Sequence, residues 1–273
     1  MRINAFDMYI QEIPELLSKL DGKAFPEVHA CLSSLLEQFP EEMTAFDMAN
    51  ALLLCDRSRD LPEFLISYIT ELFIISGEEG NADAWNDLGA QYYEGCRGFE
   101  QDFAKALKYY QIAAEQGSRQ AQENLGYCYY YGRSVPVDYE KAFHYFALGA
   151  FDGHLISLYK IGDMYRNGYY VKKNEIEAFN IYMHCVNTMT EEEEPFVAGP
   201  IFLRLGDMFL HGLGTEQNPL NSLVAYQKAE LYLYQMVQND QPMYRKSLEK
   251  AIVGQENARK ALELPEKTWT FDG

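Results

Sequence analysis

The chain has 273 residues with 41 acidic and 23 basic side chains, and its formal net charge is −18. Nucleic acids and anionic membranes are bound through positive surfaces, so this charge excludes both as expected partners. An apolar content of 48% is sufficient for a continuous core, and no apolar run reaches the roughly 20 residues that a membrane span needs.

The chain does not open on a basic segment followed by an apolar stretch and a small-residue cleavage site, as a secretory signal does. We therefore expect a cytoplasmic protein. Its five cysteines, an odd count with no paired spacing, are typical of reduced thiols. Cys96 lies in a Gly-Cys-Arg-Gly turn, and we expect it to be the most exposed cysteine and an incidental loop residue. A reactive thiol with a pKa lowered by Arg97 is the alternative.

Residues 1–80 are expected to form an N-terminal helical cap, because their apolar residues recur at helical spacing in four stretches. The stretches are 10–20, 26–39, 44–55 and 61–73, with Asp21-Gly22 and Pro40 as interruptions. The last two stretches resemble one degenerate helix pair, in which Thr44 caps the first helix.

A Leu-Gly-x-x-Tyr-x-x-Gly phrase recurs from residue 81 onward. Its four copies begin at Leu88, Leu125, Ile161 and Leu205, and Phe209 replaces the tyrosine in the last copy. Their first glycines are spaced by 37, 36 and 44 residues. A period in this range is the signature of a stacked repeat protein, so we assign residues 81–240 to four repeats.

Each copy predicts a helix, a tight glycine turn and a second helix. The first glycine lies in mid-helix, where it costs roughly 1 kcal/mol relative to alanine. Its recurrence indicates that two helices approach closely at that point. The second glycine is expected to end the first helix, and Asp102 precedes the next helix as an N-cap residue would.

The longer last interval contains 188–195, a segment with four consecutive glutamates. We expect a solvated acidic loop or a lengthened helix end here, and a contact for a basic partner is the alternative. A final helix from Tyr244 to Leu262 is expected to close the array. Residues 241–273 are therefore assigned to a C-terminal capping helix and tail.

The repeats resemble the Sel1-like repeat family, a subgroup of the tetratricopeptide-like α-solenoids. The second copy carries the resemblance best, with AQENLGYCYYYG at 121–132 and VDYEKAFHYF at 137–146. The resemblance implies an all-α fold, a right-handed superhelix of antiparallel helix pairs with atypical capping helices at both ends. It also implies a concave inner face used for protein–protein contact and scaffolding, and it does not imply an enzyme.

Catalytic and cofactor motifs are absent from the sequence. The glycines belong to helical repeats and do not follow a strand, there is no Gly-x-Ser-x-Gly elbow, and the five histidines are scattered. We therefore expect neither an enzyme nor a bound cofactor or metal.

The first helix of each repeat is expected to line the concave face, with rows of side chains sharing its exposed side. The candidate partner-binding residues are Asp87, Tyr93, Asn124, Tyr127, Tyr130, Lys160, Asp163, Arg166, Arg204 and Asp207. Tyrosine and arginine are common at the centres of protein interfaces. The early repeats are acidic or neutral here and the later ones carry Lys and Arg, which predicts an extended peptide with its acidic part toward the C-terminal repeats.

The sequence thus predicts a non-enzymatic scaffold or adaptor that binds a peptide or protein, with a basic partner among the candidates. The alternative is an acidic inhibitor or immunity-type protein that blocks a basic toxin or enzyme. The scaffold hypothesis predicts that substitutions on the concave face abolish binding without unfolding the chain. The inhibitor hypothesis predicts one tight partner whose affinity falls with salt.

Overall fold

The computed structural model of the chain describes residues 9–37, 42–55, 60–191, 194–239 and 241–264. The chain divides into two compact units, residues 1–138 and 139–273, named here the N-terminal unit and the C-terminal unit. Within the described ranges all regular secondary structure is helical, which confirms the all-α class. The assignment to 1–80, 81–240 and 241–273 stays a prediction.

The N-terminal unit contains seven helices in its described residues. They are α1 (Ile13–Lys19), α2 (Pro26–Glu37), α3 (Ala45–Cys55), α4 (Glu63–Glu78), α5 (Ala82–Glu94), α6 (Phe103–Glu115) and α7 (Arg119–Tyr131). Each helix packs against the next one along the chain. The four N-terminal stretches are therefore helices, and Pro40 lies outside the described residues.

Thr44 caps α3, as its position predicts. Its Oγ1 accepts a hydrogen bond from the Asp47 backbone N–H at 3.1 Å, and Asp47 Oδ2 accepts one from the Thr44 backbone N–H at 3.0 Å. This reciprocal pair satisfies two backbone donors that the helix itself leaves unpaired. The cap is joined to the first repeat where the Leu61 N–H donates to the Arg97 carbonyl at 3.1 Å.

The C-terminal unit contains six α-helices in its described residues. They are α8 (Tyr139–Phe151), α9 (Leu155–Asn167), α10 (Glu175–Thr188), α11 (Glu194–His211), α12 (Pro219–Gln238) and α13 (Arg245–Ala261). A short 3₁₀ turn at Pro242–Tyr244 leads into α13, which packs on α12 as the expected final helix. Of the predicted acidic segment, Glu192 and Glu193 lie outside the described residues.

The two glycines of the repeat phrase have the two roles that the sequence predicts. The second glycine ends the first helix in the left-handed conformation, with φ of +63° at Gly95 and +73° at Gly168. At the first glycine, a Cβ on Gly89 would lie 2.8 Å from the Tyr110 ring, and one on Gly206 would lie 2.7 Å from the Tyr226 ring. A side chain at either position would collide with a buried aromatic ring.

The aromatic residue between the two glycines packs against the preceding repeat in the C-terminal unit. The Tyr165 and Phe143 rings are 6.4 Å apart, and the Phe209 and Phe179 rings are 5.4 Å apart. Both pairs meet edge to face, a favourable geometry for aromatic rings. In the third and fourth repeats this residue therefore fills the gap to the preceding repeat.

Candidate functional site

A chain of hydrogen-bonded amides joins α5 and α7, the first helices of the first and second repeats. Asn124 Nδ2 on α7 donates to Asn86 Oδ1 on α5 at 3.0 Å, and Asn86 Nδ2 donates to Asp87 Oδ1 at 3.2 Å. The sequence analysis selected Asp87 and Asn124 but missed Asn86, which is 6% exposed. The buried amide therefore fixes the position of both candidate residues.

Asp87 is a half-buried carboxylate without a positively charged neighbour among the described residues. Burial raises the pKa of Asp87, the hydrogen bond from Asn86 partly opposes this rise, and the charge of Asp83 adds to it. A carboxylate in such a setting is stabilised by any cation that approaches its exposed side. The described residues therefore leave the negative charge of Asp87 uncompensated.

Tyr93 lies at the end of α5 and is half-buried. Its ring meets the Phe103 ring edge to face at 5.2 Å and lies 6.3 Å from the Tyr110 ring. Burial raises the pKa of Tyr93, so its phenol stays neutral at physiological pH. Tyr93 thus offers a fixed aromatic edge rather than a mobile one.

Tyr127, Tyr130 and Tyr131 form an aromatic cluster on α7. The Tyr127 and Tyr131 rings are stacked at 6.2 Å with 7° between their planes, and the Tyr130 and Tyr131 rings meet at 4.8 Å. Tyr131 is 48% exposed, and the other two rings are half-buried. The cluster gives this helix a rigid aromatic surface with polar hydroxyl groups.

The C-terminal unit places its candidate residues in a different environment. Asp163 on α9 accepts hydrogen bonds from the Arg204 guanidinium on α11, at 2.6 Å for the Nη2–Oδ2 pair, and from the Tyr182 hydroxyl on α10 at 2.7 Å. Lys160 Nζ lies 3.5 Å from the same carboxylate. Lys160 and Asp163 are only 4% and 5% exposed, so three helices share one buried charge cluster.

The cluster keeps Asp163 ionised. Burial alone would raise the pKa of Asp163, but Arg204, Lys160 and the Tyr182 hydroxyl together hold it below its ordinary value. The same carboxylate holds the pKa of Arg204 well above its ordinary range. Buried charges persist only when they are paired and hydrogen-bonded in this way.

A second, more exposed pair lies beside this cluster. Arg166 Nη2 on α9 donates to Asp207 Oδ2 on α11, and His211 Nε2 lies 3.5 Å from the other Asp207 oxygen. The side chains of Arg166 and Asp207 are 23% and 36% exposed. This pair holds the first helices of the third and fourth repeats together.

The structure corrects the sequence prediction in the C-terminal unit. Lys160 and Asp163 were expected on an exposed face, and this expectation is wrong because both are buried. Arg166 and Arg204 were expected to attract an acidic peptide, but Asp207 and Asp163 already neutralise them. Partner binding by any of the ten candidate residues stays a prediction.

Two neighbouring turns of the C-terminal unit form an open cleft that helical spacing does not predict. Its volume is about 680 Å³. It is lined by Lys173, Asn174, Glu175, Ile176, Gly212, Gly214 and Thr215. Lys173 Nζ pairs with Glu175 Oε1 at 2.8 Å, so the basic group on the cleft wall is already neutralised.

The cysteines and histidines form no cofactor site in the described ranges. All five cysteines are free, and no group of three or more His, Cys, Asp or Glu residues in the described part is suited to hold a metal. The alternative of a lowered pKa at Cys96 is wrong. Burial and Glu94, to which the thiol donates at 3.5 Å, raise its pKa to about 11 despite Arg97.

The helices of the described part also include none that is both long enough and apolar enough to cross a membrane.

Comparison with known families identifies the repeats. Residues 82–118, 119–154, 155–182 and 203–230 each match the Sel1 repeat. These segments begin at the first residues of α5, α7 and α9 and inside α11. The repeats read from the glycine phrase are therefore the repeats of this family.

Relatives and solved structures agree with this match. Protein sel-1 homolog 2 of Rattus norvegicus is 30% identical over 156 residues, which cover 57% of this chain and 22% of the relative. The ERAD-associated E3 ubiquitin-protein ligase component HRD3B of Arabidopsis thaliana is 39% identical over 71 residues, covering 26% of this chain and 12% of the relative. The chain spans between 10% and 22% of the curated relatives that it matches.

Among solved structures, the chain is similar to c5321, a protective antigen present in uropathogenic Escherichia coli strains that displays an SLR fold. The TM-score is 0.52 at 17% identity, and the likeness covers 92% of this chain and 56% of that chain. It shows the fold, an all-α solenoid of helix pairs. The four matched repeats show that this chain belongs to the Sel1-like repeat family.

Proposed function

We propose that this chain is a non-enzymatic scaffold or adaptor that binds a basic, extended segment of a partner protein on the α5–α7 face of its N-terminal unit. Sel1 repeats generally act as protein–protein interaction scaffolds. The observation that carries the more specific proposal is the half-buried carboxylate of Asp87, which has no ion pair among the described residues. A guanidinium or ammonium group of the partner supplies the missing positive charge.

The neighbours of Asp87 suit an extended peptide. The side-chain amide N–H of Asn124 donates to Asn86. The side-chain carbonyl oxygen of Asn124 then accepts a backbone N–H of the partner. Tyr93, Tyr127 and Tyr130 add aromatic surface that is held by other rings. Rings of this kind bind arginine and lysine side chains by cation–π contact, and they lose little conformational entropy on binding.

The charge of the N-terminal unit supports a basic partner. Residues 1–138 contain 23 acidic and 10 basic side chains, a net charge of −13, whereas residues 139–273 contain 18 and 13, a net charge of −5. An excess of one sign steers an oppositely charged partner toward the surface and raises the association rate.

The candidate residues of the C-terminal unit have a different part in this proposal. The charge cluster stabilises helix packing inside its own unit, because the charges of Lys160, Asp163 and Arg204 are paired with one another. Arg166 and Asp207 retain exposed side-chain surface and contribute to partner contact on that unit.

An acidic inhibitor or immunity-type protein is the second candidate, and the net charge of −13 on residues 1–138 favours it. Such a protein recognises one folded basic enzyme or toxin rather than an extended segment. Both candidates are non-enzymatic, and both place the chain in the cytoplasm, a compartment in which free thiols such as its five cysteines are typical. The Arabidopsis relative is itself named as a component of a larger ligase, which agrees with a scaffolding role.

The proposal is tested with two pools of short peptides, one rich in Arg and Lys and the other rich in Asp and Glu. We expect the wild-type chain to retain members of the basic pool. Asp87→Asn should weaken that binding by at least about tenfold, because one charge-assisted contact contributes roughly 1.5–3 kcal/mol. Glu115→Gln, which removes an exposed acid at the end of α6, is the matched charge control and should leave binding unchanged.

The Asn124 contact is tested in the same assay with Asn124→Ala, and with Gln120→Ala as its control on the exposed side of α7. Retention of the acidic pool, or equal binding by wild type and Asp87→Asn, would overturn the proposal. Binding to a folded basic protein in a one-to-one complex, without retention of any peptide, would favour the inhibitor.

A further inference from the structure

Two thiols meet in the N-terminal unit at a place that the proposed function does not use. Cys31 lies in α2 and Cys55 is the last residue of α3, and these two helices pack against each other. The two side chains are joined by a hydrogen bond. Both residues are half-buried.

The other three cysteines are in different surroundings. Cys128 and Cys185 are buried, and burial raises the pKa of each thiol to about 12. Cys96 donates to Glu94, which keeps its thiol protonated. Among the five cysteines, only Cys31 and Cys55 have another thiol as hydrogen-bonding partner.

The contact gives the two thiols unequal roles. The hydrogen bond from Cys55 stabilises a thiolate at Cys31 and lowers the pKa of Cys31 to about 7, whereas the same contact raises the pKa of Cys55. A thiolate attacks disulfide bonds, and a neighbouring thiol completes the exchange after it has lost its own proton. Cys31 is therefore suited to react first and Cys55 second.

We propose that Cys31 and Cys55 form a dithiol site that low-molecular-weight disulfides, such as oxidised glutathione, convert to a disulfide between α2 and α3. In the first step the Cys31 thiolate attacks one sulfur of the oxidant, the S–S bond of the oxidant breaks, and one thiolate leaves. In the second step Cys55 loses its proton to water and attacks Cys31 Sγ, and the second glutathione thiolate leaves. The two protein thiols are oxidised, and one small disulfide is reduced to two thiols, which take up the released protons.

The product would fix the terminal helices to the rest of the unit. Helix α2 contacts α3 and α1, so a bond between Cys31 and Cys55 ties the first two helices to the helix pair formed by α3 and α4. Because a cross-link restricts the unfolded chain more than the folded one, the disulfide would resist local opening of these helices. The site thus makes the stability of the N-terminal cap dependent on the surrounding redox state.

The site is tested on the full chain with oxidised glutathione, followed by alkylation of the remaining thiols. Digestion with a Glu-specific protease separates the two cysteines, because Glu37 and Glu42 lie between them. We expect one disulfide-linked peptide pair that contains Cys31 and Cys55. At pH 7 Cys31 should also react with iodoacetamide at least about tenfold faster than Cys96.

Three serine variants separate the two steps, and circular dichroism confirms that each one is folded. Cys55→Ser should keep glutathione on Cys31 as a stable mixed disulfide, and Cys31→Ser should leave Cys55 free for alkylation. Cys96→Ser is the matched control and should behave like wild type. A Cys31–Cys55 link that forms only after unfolding in urea, or a folded Cys55→Ser chain without glutathione on Cys31, would overturn the inference.

Discussion

The two units place charged side chains at the same repeat positions and use them in opposite ways. In the N-terminal unit, Asp87 is half-buried and has no cation among the described residues. In the C-terminal unit, the equivalent positions of the third and fourth repeats hold Lys160 and Arg204, and both pair with the buried carboxylate of Asp163. One repeat register thus carries an uncompensated charge in one unit and a neutralised cluster in the other.

Different units of one repeat array can therefore specialise, one in binding a partner and the other in stabilising the fold. Where charges are paired internally they stabilise the packing of neighbouring helices, and they have little attraction left for a partner. Where one charge is left unpaired the fold bears a cost, and such costs are typical of functional positions. The comparison makes the N-terminal unit the expected binding region and the C-terminal unit the stable one.

The largest effect is expected from Arg204→Met. The substitution removes both guanidinium hydrogen bonds to Asp163 and leaves a buried carboxylate with Lys160 and Tyr182. Breaking a buried pair from one side costs about 3–5 kcal/mol, which urea denaturation followed by circular dichroism would measure. A loss below about 1 kcal/mol would show that the cluster contributes no more than a surface pair and would remove the contrast between the units.

The acid stability of the C-terminal unit should follow Asp163. Its pKa is lowered in the fold, so its stabilising contribution is complete above the unfolded-state value of about 3.9 and is lost as pH falls through the lower folded value. The difference in unfolding free energy between wild type and Asp163→Asn should therefore shrink at the acid end of a urea titration series. A difference that stays constant with pH would contradict the ionised state of Asp163.

Both units have a close approach of two helices at a mid-helix glycine, and substitution of that glycine tests how far each unit depends on it. Gly89→Ala and Gly206→Ala each place a methyl group against a buried ring, Tyr110 or Tyr226. Overpacking typically costs about 1–3 kcal/mol, and the better helix propensity of alanine offsets roughly 1 kcal/mol of it. We expect similar destabilisation in both units by thermal denaturation. Stabilisation in either unit would mean that the helices there do not need the close approach.

These glycines also show why the fold was predictable from the sequence. Left-handed turns at Gly95 and Gly168 and the cap at Thr44 depend on residues within a few positions, and the repeat period adds the same local signal four times. The family resemblance rests on the same residues. Local rules of this kind are visible in a single sequence.

The charge clusters were not predictable in the same way. Asp163 and Arg204 are 41 residues apart and meet only because α9 packs beside α11. Asp87 and Lys160 occupy the same position in their repeats, yet Asp87 is half-buried and Lys160 is buried. Helical spacing alone therefore could not distinguish a solvent-exposed face from a buried one. The contact between Cys31 and Cys55 likewise joins two helices and has no signature in the spacing of the cysteines.

A smaller effect is expected from Asp87→Asn, and its sign is opposite to that of the Asp163 variant. Because the pKa of Asp87 is raised in the fold, the ionised carboxylate lowers stability at neutral pH, and this penalty disappears as pH falls below the unfolded-state value. The neutral variant should therefore be as stable as wild type or more stable by up to about 1 kcal/mol at pH 7. Urea denaturation would measure the change, and a clear loss of stability would show that Asp87 has a structural role.

The smallest effect is expected from Arg166→Met, which separates an exposed ion pair from the buried cluster beside it. Arg166 and Asp207 keep 23% and 36% of their side chains exposed, so water and salt screen their attraction, and such pairs contribute about 0–1 kcal/mol. Urea denaturation in low and high salt should show a small loss that high salt removes. Because Arg204→Met removes the same residue type from the same pair of helices, a loss as large as the one expected there would mean that Arg166 belongs to the buried cluster. The surface available for partner contact on the C-terminal unit would then shrink to Asp207 and its exposed neighbour His211.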